Sequence, residues 1–171
     1  GWNLTNSSNT GSSLTGSAYA DTFAGGTGND TLTGGAGVDT FNINAGNDVI
    51  TDLGNDVDIV KVSLGATVTA TASSAWTATA STSNAGTATI NANNKNIVLS
   101  AVTGGNGWTV TNSGNSTGVS LTGSTYNDSI IGGSSNDTIY NSGGIDTVTT
   151  GAGFDWIYAQ SGTVYYTDLG V

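Results

Sequence analysis

The chain keeps a nine-residue beat, and that beat restricts it to a stack of near-identical short units. From residue 16 it reads GSAYADTFA, GGTGNDTLT, GGAGVDTFN, INAGNDVIT; from residue 123 it reads GSTYNDSII, GGSSNDTIY, NSGGIDTVT, TGAGFDWIY. Asp holds the sixth place every time, at Asp21, Asp30, Asp39 and Asp48, then at Asp128, Asp137, Asp146 and Asp155. A large apolar residue holds the eighth: Phe23, Leu32, Phe41 and Ile50, then Ile130, Ile139, Val148 and Ile157. Glycine crowds the first four places. Two series of four acids at constant spacing mark a repeat architecture.

Residues 25–33 and 34–42 fit the pattern GGxGxDxUx at every defined place; the other six nonamers keep the Asp and the apolar residue but lose one or more glycines. This pattern resembles the RTX (repeats-in-toxin) nonapeptide, a Ca²⁺-binding parallel β-helix repeat, and it covers about half of the chain directly. The resemblance implies an all-β fold of parallel β-roll or β-solenoid segments with Ca²⁺ as the cofactor. It also implies relatives among bacterial S-layer proteins and giant adhesins, which leave the cell unfolded by type I secretion and fold outside, where calcium is millimolar.

The residue types suit such a unit. Each nonamer is a six-residue turn followed by a short strand in which side chains alternate, so the eighth residue points inward and its neighbours point to solvent. Glycine supplies the positive φ that lets turn carbonyls converge. Two nonamers make one coil, so turns eighteen residues apart stack: Asp21 with Asp39, Asp30 with Asp48, Asp128 with Asp146, and Asp137 with Asp155. Stacked carboxylates repel unless a cation lies between them. With Ca²⁺ they supply charged ligands, and turn carbonyls such as those of Gly25, Thr27, Gly34 and Ala36 complete a shell of six to eight oxygens. One apolar side chain per nonamer buries too little surface to offset the ordering of nine residues, so the chain is expected to be loose without calcium. A metal-free solenoid with plain Asx-type turns is the alternative.

Composition narrows the partners. Among 171 residues there are twelve Asp and no Glu, with only Lys61 and Lys95 to balance them, no Arg and no His, for a net charge of −10. Such acidity argues against nucleic acid, since almost nothing here can neutralise phosphate, and against electrostatic docking on an anionic membrane. Cations are the natural partner. No cysteine is present, so disulfides and thiolate metal sites are out, and no apolar stretch is long enough to insert in a membrane as a helix. Starting at Gly1 without Met, the chain is expected to be a segment of a larger protein, and the lack of a signal sequence therefore carries no information.

Four stretches follow. Residues 1–15 read as the end of a preceding β module, because GWNLTNSSNTGSSLT recurs as GWTVTNSGNSTGVSLT at 107–122. Residues 16–61 form the first calcium roll, 62–122 an Ala/Thr-rich β module, and 123–171 the second calcium roll. The beat breaks after Asp48 at TDLGNDVDIVKV, where Asp56 and Asp58 are candidates for a final irregular calcium site; a solvated acidic turn is the other reading. TDLG returns at 167–170, one nonamer later than expected, and the extra unit AQSGTVYYT carries Val164 in the Asp place and Tyr166 in the inward place. In the middle module, 66–72, 75–82, 86–91, 96–102 and 107–112 read as strands, with Trp76, Ile90, Val98, Leu99 and Trp108 as core. Whether it continues the solenoid or forms a separate antiparallel sheet is open at this level.

Catalysis has little to work with. Without His, Cys, Glu or Arg, and with eight of twelve Asp absorbed by the repeat, no general acid–base pair or activated nucleophile is marked, and the chain is read as not an enzyme. Its expected role is a calcium-dependent structural segment of a large secreted bacterial cell-surface protein, partnered by calcium and by copies of itself in a layer or filament. A non-catalytic calcium module of a secreted hydrolase or toxin is the alternative. A Thr–x–Asn ladder on the calcium turns, as in some ice-binding adhesins of the family, is present only at Thr27 and Asn29 and is not sustained.

Overall fold

The computed structural model describes residues 1–168. Every strand pairs in parallel with a strand from the next coil, and the chain winds into a β-solenoid of about nine turns, with no helix among the described residues. Three sheets run along its length. Sheet A has five strands, from Asn3–Thr5 to Ser83–Asn84. Sheet B has nine, from Ser13–Thr15 to Thr163–Asp168. Sheet C has five, from Trp76–Thr77 to Trp156–Ala159.

In the first roll each nonamer gives one turn and one short strand, alternately in sheet A and sheet B. The apolar residues fall in register: Leu4, Phe23, Phe41 and Val60 line up on sheet A, and Leu14, Leu32 and Ile50 on sheet B. Phe23 and Phe41 stack with centroids 5.0 Å apart. The second roll uses the same device between sheets B and C, where Leu121, Ile139 and Ile157 align. At its far end Val164 lies beside Asp146 and Tyr166 beside Val148. Leu169 and Gly170, the end of the second TDLG, lie outside the described residues.

The middle stretch continues the solenoid. Sheet B passes straight through it, while the coil lengthens: Val49, Thr69, Thr89, Thr109 and Ser129 are successive partners twenty residues apart, against eighteen between Thr31 and Val49. The added residues build a third side. Ser83–Asn84 closes sheet A against Ile59–Val62, Trp76–Thr77 opens sheet C against Ile97–Val98, and for these turns the cross-section has three walls. A single inward residue per side cannot fill that wider interior; Trp76 and Trp108 do, with ring centroids 6.4 Å apart and Trp76 Nε1 donating to the Asp58 carbonyl at 3.0 Å.

Some strand limits differ from the sequence expectation. Of residues 75–82 only Trp76–Thr77 is strand, and of 96–102 only Ile97–Val98, while Ser83–Asn84 is an additional strand. Three corners per coil leave shorter sides, which an alternation pattern does not reveal. Val98 is half-buried and faces outward, and its neighbours Ile97 and Leu99 fill the core in its place. Trp76, Ile90 and Trp108 are buried as expected.

Candidate calcium site

The Asp residues end the turns and form columns along the solenoid edges. On one edge of the first roll the amide of Trp2 donates to Asp21 Oδ1 at 2.5 Å, that of Asp21 to Asp39 Oδ1 at 2.8 Å, and that of Asp39 to Asp58 Oδ1 at 3.0 Å. On the other edge Ser12 donates to Asp30 Oδ1 and Asp30 to Asp48 Oδ1, both at 2.8 Å. The second roll repeats this, with Trp108, Asp128 and Asp146 on one edge and Val119, Asp137 and Asp155 on the other. The four predicted pairs are therefore brought together. Asp58 extends the first column; Asp56 is exposed and accepts the Gly37 amide at 3.0 Å.

One oxygen of each acid is thus committed to the rung before it, and the second oxygen separates two groups. In Asp21, Asp58, Asp128 and Asp137 it accepts the amide four residues earlier, from Ser17, Gly54, Ser124 and Gly133 at 2.6–2.9 Å. In Asp30, Asp39, Asp48, Asp146 and Asp155 it is buried without a hydrogen-bond partner. Buried oxygens are rarely left so, and each costs the full desolvation of the group. For Asp39 the cause is visible: the amide that would cap it, Gly35, donates instead to Asp52 Oδ2, while Gly34 donates to Asp52 Oδ1, both at 2.9 Å. Asp52 is a neighbour of the column that the nine-residue beat misses, because it stands outside the sixth place.

The glycines make room for these carboxylates. A Cβ on Gly132 would lie 2.7 Å from Asp137 Oδ2, and one on Gly25 or Gly34 would run into the carboxylate of its own turn. Gly26 and Gly35 have φ of 91° and 100°, which only glycine adopts without strain.

Burial pushes the Asp39 carboxyl up to about 6, reinforced by the charges of Asp58, Asp21 and Asp52 and opposed by the Asp21 amide. Burial likewise pushes Asp128 up to about 6 against the amides of Trp108 and Ser124, and raises Asp48, Asp58 and Asp146. Among the described residues no three metal-ligating side chains cluster. A cation here would take one or two carboxylates and draw its remaining oxygens from turn carbonyls, the donor set that suits a hard, flexible ion such as Ca²⁺. The orphaned oxygens fit that ion.

The RTX calcium-binding nonapeptide repeat matches in four copies, over residues 15–50, 120–148 and 140–163. Over these residues the two rolls carry RTX calcium-binding nonapeptide repeats. No curated protein and no solved structure matches the chain. Residues 51–119 carry no RTX match; there the third wall appears, and the column of Asp30 and Asp48 continues as Val68 and Ala88 before Trp108 meets Asp128. Repeats of this type are known to bind calcium, and their winding into a β-solenoid fits a structural repeat module; the middle coils join the two rolls through one shared sheet.

Proposed function

We propose that this chain is a calcium-dependent structural segment of a large secreted bacterial cell-surface protein, an S-layer or adhesin, which folds when it meets extracellular Ca²⁺. The observation that carries the reading is the set of five buried, partnerless carboxylate oxygens in turns stacked one coil apart. Ca²⁺ would sit between stacked turns, held by Asp21 and Asp39, Asp30 and Asp48, Asp128 and Asp146, and Asp137 and Asp155, with carbonyls such as those of Gly25, Thr27, Gly34 and Ala36 and with Asp58 at the end of its column. Sites built from few charges and many carbonyls bind weakly, in the range of extracellular modules. Such a chain stays extended where calcium is scarce and folds where it is plentiful, and a solenoid built this way lengthens by adding coils.

Circular dichroism in excess chelator and after calcium is restored tests the folding half: β signal is expected only with calcium, and an unchanged spectrum in chelator overturns it. Localisation of the intact protein on the producing cell, with electron microscopy of the calcium-loaded form, tests the surface half.

A further inference from the structure

Sheet B is the one wall that runs the whole length, and its outer face is unlike the others. Two columns of side chains point outward from its nine strands, and twelve of the eighteen places are Thr, including Thr31 and Thr33, Thr69 and Thr71, and Thr109 and Thr111. Threonine favours strands generally, yet sheet A mixes Ala24, Asn42, Ile59 and Lys61 into the same positions, so strand propensity alone does not explain the concentration. The columns also hold while the coil changes from eighteen residues to twenty and back. Among the described residues the register brings one charge to these columns, Asp168 at the far end, which a bulge sets beside Thr149, although the chain carries −10. Hydroxyl contacts join Thr33 to Thr51 at 2.8 Å and Thr149 to Thr167 from rung to rung.

We infer that this face is the contact between two copies of the chain, packed sheet on sheet about a twofold axis; the inference deepens the surface-assembly reading above by naming the partner surface. Two chains of −10 repel along edges lined with Asp and can approach where only that one charge stands. Nine strands about 4.8 Å apart and some 15 Å of width give roughly 600 Å² per copy, enough for a modest dimer at the low end of stable interfaces. A twofold contact is self-complementary, and the greatest overlap sets the middle strand, Thr87–Asn91, against its own mate.

The natural absence of cysteine allows a direct test. In calcium, Thr89→Cys should cross-link to a dimer under mild oxidation, while Lys61→Cys on the outer face of sheet A should not. Wild type should sediment as a dimer, and Thr69→Lys with Thr89→Lys as a monomer with an unchanged β spectrum and calcium midpoint. A monomeric wild type at high concentration, or cross-linking through Lys61→Cys as fast as through Thr89→Cys, overturns the inference. Because folding is followed separately by circular dichroism, failure of the dimer leaves the calcium reading standing, and failure of calcium-dependent folding shows in the spectrum alone.

Discussion

The amide of Asp21 donates to Oδ1 of Asp39 at 2.8 Å, one full coil along the chain. The carboxylate therefore has two separable duties: one oxygen ties adjacent coils together, and the other, buried and without a partner, faces the turn. An Asn at this place can keep the first duty and loses the charge needed for the second.

Asp39→Asn should accordingly raise the calcium midpoint by roughly tenfold or more, a loss of about 1.4 kcal/mol per tenfold, while leaving the calcium-saturated fold intact. Asp39→Ala should raise the midpoint and also lower the melting temperature in saturating calcium, because the Asp21 amide is left unpaired. Calcium titration followed by tryptophan fluorescence separates the two; equal effects would contradict the division of labour.

Acid should partly replace calcium. The Asp39 carboxyl stands at about 6 in the folded chain against 3.8 when unperturbed, so the folded state holds the proton more tightly. Stability of the metal-free chain is then highest below about pH 4 and falls as pH rises through about 6. Circular dichroism in chelator should show more β structure near the lower limit than at neutral pH. A metal-free chain that is better folded at neutral pH would be the opposite result.

Glycine substitutions should split by position. Gly34→Ala drives a methyl into the Asp39 carboxylate and should cost on the order of 1–3 kcal/mol, with weakened calcium binding. Gly104→Ala meets nothing within 4 Å and should stay within about 0.5 kcal/mol of wild type. Denaturant unfolding in saturating calcium measures both.

Trp76→Ala should destabilise by about 3–5 kcal/mol, since Trp76 is fully buried beside Trp108 and its Nε1 bonds to the Asp58 carbonyl. The loss should fall on the three-walled coils, so hydrogen exchange should quicken there before it does in the calcium-loaded first roll.

The rolls were legible because each nonamer states its own geometry. Asp in the sixth place and Phe23 or Leu32 in the eighth leave one way to wind, and the columns follow from spacing alone. The middle was legible only as strands. Its coil length depends on how far apart Val49 and Thr69 fall once a third corner is inserted, and corners made by Ser, Asn and Gly carry no periodic mark. That is also why alternation points to Val98 as core where Ile97 fills it: with a two-residue side, a shift of one reverses every facing. Asp52 escaped because it holds the first place of its nonamer, where Gly16, Gly25 and Gly34 stand in earlier ones, although Gly34 lies one full coil before it.

The exchange of sheet A for sheet C has a mechanical meaning. The strand after Trp2 lies in sheet A and its repeat after Trp108 lies in sheet B; Ser13–Thr15 lies in sheet B and its repeat Ser120–Thr122 in sheet C. Like sequences thus look out in different directions. A flat ribbon flexes readily about its thin dimension, and here that dimension swings round the long axis midway. No single plane remains in which the whole described length bends easily.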